Sequence, residues 1–221
     1  ALRGLHDRAM NASNNMSDRK EMLQEALMAQ RQMLVDAIGK RAEDIPQAFT
    51  PYKEVLDVYD QGLELPDDVT IIWPDDNYGY MKRLSSPKEQ KRSGRSGVYY
   101  HSSYLGKPHD HLWMNTTSPT LMYEELRKAY DLTGDRIWLL NAGDIKSCEF
   151  AVDYFLTMAF DIDSFNFERA ANYRTEWLCG MLGNDYRNEY QDVINSFYKL
   201  AFARKPEFMG WGYQWATDKH G

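Results

Sequence analysis

A chain of 221 residues is long enough to bury one sizeable core, or one core with an appended helical piece. Its 43% apolar and 27% charged residues are those of an ordinary globular sequence, and a net charge of −7 with no Lys/Arg-rich run argues against a nucleic-acid surface. No apolar run approaches the ~20 residues of a membrane span, and Cys148 and Cys179 lie in apolar helical patterns, without CxxC or Cys/His zinc spacing.

The chain opens Ala1-Leu2-Arg3-Gly4-Leu5-His6-Asp7, the tail of a strand with a polar tip. A domain rarely begins there, so the sequence reads as an internal segment of a longer polypeptide. From about Ser17 to Ile38 the pattern is helical, with Leu23, Leu27, Leu34 and Ile38 on one stripe, Ser17 or Asp18 as cap and Gly39 as stop. The methionines of this helix read as core packing. Ile45 to Thr50 forms a short strand running into Pro51-Tyr52-Lys53-Glu54, and a helix from Val55 to Gln61 stops at Gly62. Val69 to Trp73, bounded by Pro66 and Pro74, is a continuous apolar run and so a strand buried on both faces. It runs into Asp75-Asp76-Asn77-Tyr78. The basic, glycine-punctuated stretch Lys88 to Gly97 reads as a surface loop, and Gly97 to Tyr104 as the next strand. Ser118-Pro119 marks a helix start, Ser as cap and Pro at the first position, with the helix running to about Asp131. Arg136 to Asn141 is a further strand, and a helix follows from about Ser147 to Phe160. Alternating elements with doubly buried strands predict an α/β fold, a parallel sheet with right-handed crossovers. Beyond Asp161, amphipathic helices over Phe165 to Leu182 and Asn184 to Arg204 precede an aromatic tail, which places a boundary near residue 162.

Five successive strand ends carry polar groups: Arg3/His6/Asp7, Tyr52/Glu54, Asp75/Asn77, His101/Tyr104 and Asn141/Asp144. In a parallel sheet these ends share one side, and in a closed barrel they ring one pocket. Asp7, Glu54 and Asp75 supply carboxylates for a general acid and a general base. Arg3 and His101 suit an anion; Tyr52, Asn77, Tyr104 and Asn141 suit hydroxyls. Two carboxylates flanking a scissile bond are the basis of glycoside hydrolysis, and their spacing decides whether configuration is inverted or retained. Plainer readings stand beside these. His6 or His101 suits a structural role, Arg3 suits bracing Asp7, and Glu54 suits the positive end of the helix it begins. Asp76 and Asp144 suit turns; Trp73, Trp138, Tyr99 and Tyr100 read as core. A carboxylate-rich metal site from Asp7, Asp75 and His101 is the rival chemistry, but no i,i+3 or i,i+4 ligand pair accompanies it.

These residues lie in longer strings: RGLHD (3–7), FTPYKEVLDVY (49–59), DVTIIWPDDNYGY (68–80), KRSGRSGVYYHSSYLGKPHDHLW (91–113), TTSPTLMYEELRKAY (116–130), IWLLNAGDIK (137–146) and RKPEFMGW (204–211). In order, and over nearly the whole chain, they resemble glycoside hydrolase family 115, the xylan α-1,2-glucuronidases; residues 162–203 match more loosely. The resemblance implies a partial TIM (β/α)₈ barrel, about strands four to eight, over residues 1–162. Residues 163–221 would then be a helical region leading into the next domain. It further implies an inverting hydrolase that removes (4-O-methyl)glucuronic acid from xylan, with Glu54 as general acid, Asp7 as general base and Asp75 as the alternative for either. Arg3, Tyr52, Asn77, His101, Tyr104 and Asn141 would bind substrate, Arg3 facing the uronic carboxylate because a guanidinium captures carboxylates bidentately. No cofactor and no metal are expected. The expected partners are glucuronoxylan or its oligosaccharides and the rest of a longer polypeptide, with a homodimer allowed, no nucleic acid and no membrane insertion. The implied location is secreted or periplasmic. With barrel strands one to three outside this segment, two open sheet edges are expected. The alternatives are a non-catalytic carbohydrate-binding half-barrel and a metal-dependent hydrolase on a similar barrel.

Overall fold

Strands β1 (Ala48–Phe49), β2 (Thr70–Pro74), β3 (Ser96–His101) and β4 (Trp138–Asn141) form a parallel sheet in that order. They belong to a computed structural model that describes residues 15–102, 115–143, 145–146 and 148–204. Every residue of β2 is buried, as its unbroken apolar run requires. Its buried side-chain polar atoms are satisfied: Thr70 Oγ1 donates to Gly94 O at 2.9 Å, Trp73 Nε1 to Ser85 Oγ at 2.9 Å, and Ser85 in turn to Ser96 Oγ at 2.9 Å. Pro74 sits in β2 without breaking it because of which way its missing N–H would point. Thr70 N–H donates toward β1, to Gln47 O, whereas Ile71 and Asp75 N–H donate toward β3, to Arg95 O and Tyr99 O. Residue 74 therefore faces the β1 side, where pairing has already ended at Phe49↔Ile71.

The crossovers are helices α2 (Glu54–Asp60) between β1 and β2, and α3 (Pro119–Asp131) between β3 and β4. Helix α1 (Met16–Ile38) precedes β1, and α4 (Glu149–Phe160), α5 (Phe167–Leu182) and α6 (Arg187–Ala203) follow β4. Ser118 caps α3 as expected, its hydroxyl accepting from Leu121 N–H at 3.2 Å. The larger core gathers Trp73, Val98, Tyr100, Leu126, Phe155 and Met158 and extends into Phe165 and Ala170, with Tyr173 and Trp177 of α5 packed against it. A smaller core joins Leu23 of α1 to Phe49, Val55, Val58, Leu63 and Val69. Both cysteines are buried. No described helix is long and apolar enough to cross a membrane.

Four local expectations are corrected. The cap of α1 is Asn15, whose Oδ1 accepts from Ser17 N–H, not Ser17 or Asp18, because the helix begins one residue earlier. Three of the four methionines of α1 are not core: Met22, Met28 and Met33 are exposed, as is Ile38, whereas Met16 packs half-buried against the smaller core and Leu23 is the buried residue of that helix. The stretch Lys88 to Gly97 is more than a surface loop. Arg92 reaches back from it to the carbonyls of Leu65, Pro66 and Val69 at 3.2, 2.6 and 3.1 Å, and Gly94 and Ser96 are buried. Lastly, β4 is only half-buried, with Leu139 exposed, since among the described residues it pairs on one side only.

Candidate active site

Parallel pairing brings the C-terminal ends of all four strands to one rim, so residues distant in sequence meet there. The register sets which ones: Pro74 lies opposite Tyr99, and His101 opposite Asn141. Just past β2, the chain turns. Asn77 adopts the left-handed conformation (φ 70°), which asparagine tolerates, and its N–H donates to Asp75 Oδ1 at 3.2 Å. Asp76 is the turn-maker of this segment: its Oδ1 accepts from the N–H groups of Tyr78 and Tyr80, and its other oxygen pairs with Lys82 at 3.0 Å.

Asp75 points into the protein. Its side chain is 0% exposed and that of His101 2%, with His101 Nδ1 2.5 Å from Asp75 Oδ1 and His101 N–H donating to Asp75 Oδ2 at 3.1 Å. A carboxylate that takes two backbone N–H donors is the acceptor in its ring contact too, so Nδ1 carries the proton and Nε2 is the imidazole's remaining polar atom. Beside this pair, burial first and the Asp75 charge second push the Tyr100 phenol well above its usual value; its hydroxyl donates to Gly79 O at 3.0 Å.

The next contacts extend the row in both directions. Toward β1, Tyr52 Oη donates to Asn77 Oδ1 at 2.9 Å, and its ring stacks on His101 with centroids 5.9 Å apart. Toward β4, Asn141 Nδ2 donates to Tyr99 Oη at 3.1 Å, and the Tyr99 ring lies 4.5 Å from that of His101. Tyr52–Asn77, Asp75–His101 and Tyr99–Asn141 thus tie the four strand ends together pair by pair. Glu54 is exposed at the first position of α2. It follows Lys53, whose φ of 53° and ψ of −125° are strained for a side-chain-bearing residue by about 1–3 kcal/mol.

Such a row of carboxylate, imidazole, amide and phenol groups at the open ends of parallel strands offers hydrogen-bond donors and acceptors of the kind that can meet the hydroxyls of a polyol. The sequence profile of glycosyl hydrolase family 115 matches residues 1–208, which include all four strand ends. The chain belongs to glycosyl hydrolase family 115. A similar solved structure is that of BtGH115A, described as a novel family GH115 4-O-methyl-α-glucuronidase with specificity for decorated arabinogalactans. It agrees with a TM-score of 0.84 at 42% sequence identity. The match covers 90% of this family 115 chain and 26% of that relative, so the chain spans about a quarter of the relative's length. No curated protein matches it.

In the family 115 chain, five of the residues singled out in the sequence meet directly or through one partner: Tyr52, Asp75, Asn77, His101 and Asn141. Glu54 stands on the same strand end as Tyr52, two residues on. Arg3, Asp7 and Tyr104 lie outside the described residues, as do His6 and Asp144. Among the described residues no three His, Cys, Asp or Glu side chains form a metal-binding group. Trp73 and Tyr100 are core, as expected. Tyr99 is not: it is half-buried and belongs to the rim. The signal was available, since residues 99 and 101 of one strand share a face.

Proposed function

We propose that this family 115 chain carries part of the active site of an inverting glycoside hydrolase that removes (4-O-methyl)glucuronic acid side chains from xylan. The observation that carries the reading is the row of three inter-strand pairs along one rim of a parallel sheet, in a chain of this family. In this reading residues 1–162 supply about strands four to eight of a (β/α)₈ barrel, and residues 163–221 lead into a following helical domain. The enzyme would work outside the cytoplasm, secreted or periplasmic, where its polysaccharide is.

Glu54 is proposed as general acid, protonating the glycosidic oxygen, and Asp7 as general base, activating water on the opposite face of the sugar; inversion needs the two carboxyls roughly 6.5–9.5 Å apart. Glu54's exposure leaves it able to reach a substrate. Asp75 serves in this reading as the anchor of His101, because its oxygens are already engaged by His101 and Asn77. Arg3, Tyr52, Asn77, His101, Tyr104 and Asn141 hold the sugar, Arg3 at its carboxylate.

Incubation with glucuronoxylan, and with an arabinogalactan bearing the same side chain, tests this. Release of uronic acid from xylan, first as the β-anomer by NMR, is expected. Release of the α-anomer first overturns inversion, and release from arabinogalactan alone overturns the xylan assignment. Saturable binding without release would make the chain a carbohydrate-binding unit instead. Glu54→Gln should lower turnover of an unactivated substrate by about 10²- to 10⁴-fold while binding persists; undiminished hydrolysis removes Glu54 from the acid role.

A further inference from the structure

Tyr99 stands where three residues of the rim meet. Its hydroxyl accepts from Asn141 Nδ2 at 3.1 Å, and its ring lies 4.5 Å from His101 and 6.0 Å from Tyr52, edge-on to the latter. Its neighbour Tyr100 faces the opposite way, fully buried with its hydroxyl on Gly79 O. Tyr99 is instead half-buried, on the face it shares with His101.

We infer that Tyr99 is a positioning residue of this site: its hydroxyl fixes the Asn141 amide and its ring braces the His101 imidazole. An asparagine amide has a donor end and an acceptor end that differ little in shape, so its orientation is set by what surrounds it. Gly143 N–H can only donate, and it lies 3.3 Å from Asn141 Oδ1. That contact fixes the acceptor end. The donor end then meets Tyr99 Oη, which accepts, and Asn141 keeps its second amide N–H for a ligand oxygen. For His101 the same logic holds with rings in place of hydrogen bonds. Asp75 fixes Nδ1, Tyr52 stacks on the ring with planes 23° apart, and Tyr99 closes on it at 52°, so the direction of Nε2 is set by three neighbours.

The kinetic consequence rests on the glucuronidase reading; the geometric one does not. Losing the phenolic oxygen removes one neutral hydrogen bond that acts on bound substrate and transition state alike. Tyr99→Phe should therefore raise KM about five-fold with a smaller change in kcat. If Tyr99 acts through Asn141, a double-mutant cycle with Asn141→Ala is non-additive, Tyr99→Phe costing little once the amide is gone. In the ¹⁵N-labelled full chain, Tyr99→Phe should shift the side-chain NH₂ resonances of Asn141. An unchanged KM, or additive effects in the cycle, overturns the inference. Should the wild-type chain release no uronic acid, the functional reading fails separately and the resonances alone decide: an unmoved Asn141 amide in Tyr99→Phe overturns the inference, and a shifted one upholds it.

Discussion

Asp75 and Glu54 are carboxylates at the same rim in opposite surroundings. Asp75 is wholly buried and engaged by His101 and Asn77, while Glu54 is exposed at the start of α2. A group whose oxygens are occupied orients its neighbours. Asp75→Asn keeps the shape but replaces a charged acceptor with a neutral amide, which holds the imidazole less firmly. A resulting misplacement of about 1 Å should lower kcat/KM about 100-fold, with the far-UV CD spectrum of the wild type retained; unaltered kinetics would leave Asp75 with no part in placing His101. That both residues were polar strand ends is legible in the sequence. The pairing of Asp75 with His101 is not, because it spans 26 positions and depends on the register that sets Pro74 against Tyr99.

Among the elements, β3 shows how narrow the tolerance is. Gly97 pairs with Ile72 of β2, and on its other side a Cβ would collide with the backbone carbonyl of Ile137, just before β4. Glycine is needed there for close approach of backbone to backbone, not for its conformational freedom. Gly97→Ala should destabilise the fold by about 2–3 kcal/mol, as forced overpacking does, read as a lower denaturant midpoint at unchanged slope. Signals confined to a few adjacent residues, such as Ser118-Pro119 and Gly39, were readable because their hydrogen bonds are local. The exposure of Met22, Met28 and Met33 was not, since apolar spacing names a stripe without naming what covers it.

Across the whole molecule, one cluster ties α2 to the β2–β3 connection. Glu89 accepts from Arg83, from Ser86 N–H and from Tyr59 Oη, while Arg83 lies over the Trp73 ring with 4.4 Å to its centroid. Burial alone would raise the Glu89 carboxyl, but hydrogen bonds from Arg83, Ser86 and Tyr59 outweigh it and hold the group at about 2 against an ordinary 4.5. The folded-state value is the lower one. The stabilisation is therefore fully present above about pH 4.5 and is lost as pH falls toward about 2. Glu89→Gln should lower the melting temperature at neutral pH and flatten its decline across that acid window; a parallel decline in both proteins would place the acid sensitivity elsewhere.

The sequence by itself determined the alternation of elements, the doubly buried β2 and the polar character of the strand ends, because periodicity and punctuation are local and hydrophobic burial has no direction of its own. Only the tertiary structure decided that Asp75 turns inward to His101 and that Tyr99 meets His101 and Asn141 at the rim instead of joining the core. Those choices follow from parallel strand register, which joins residues 25 to 42 positions apart and shifts every side chain to the other face when it slips by one.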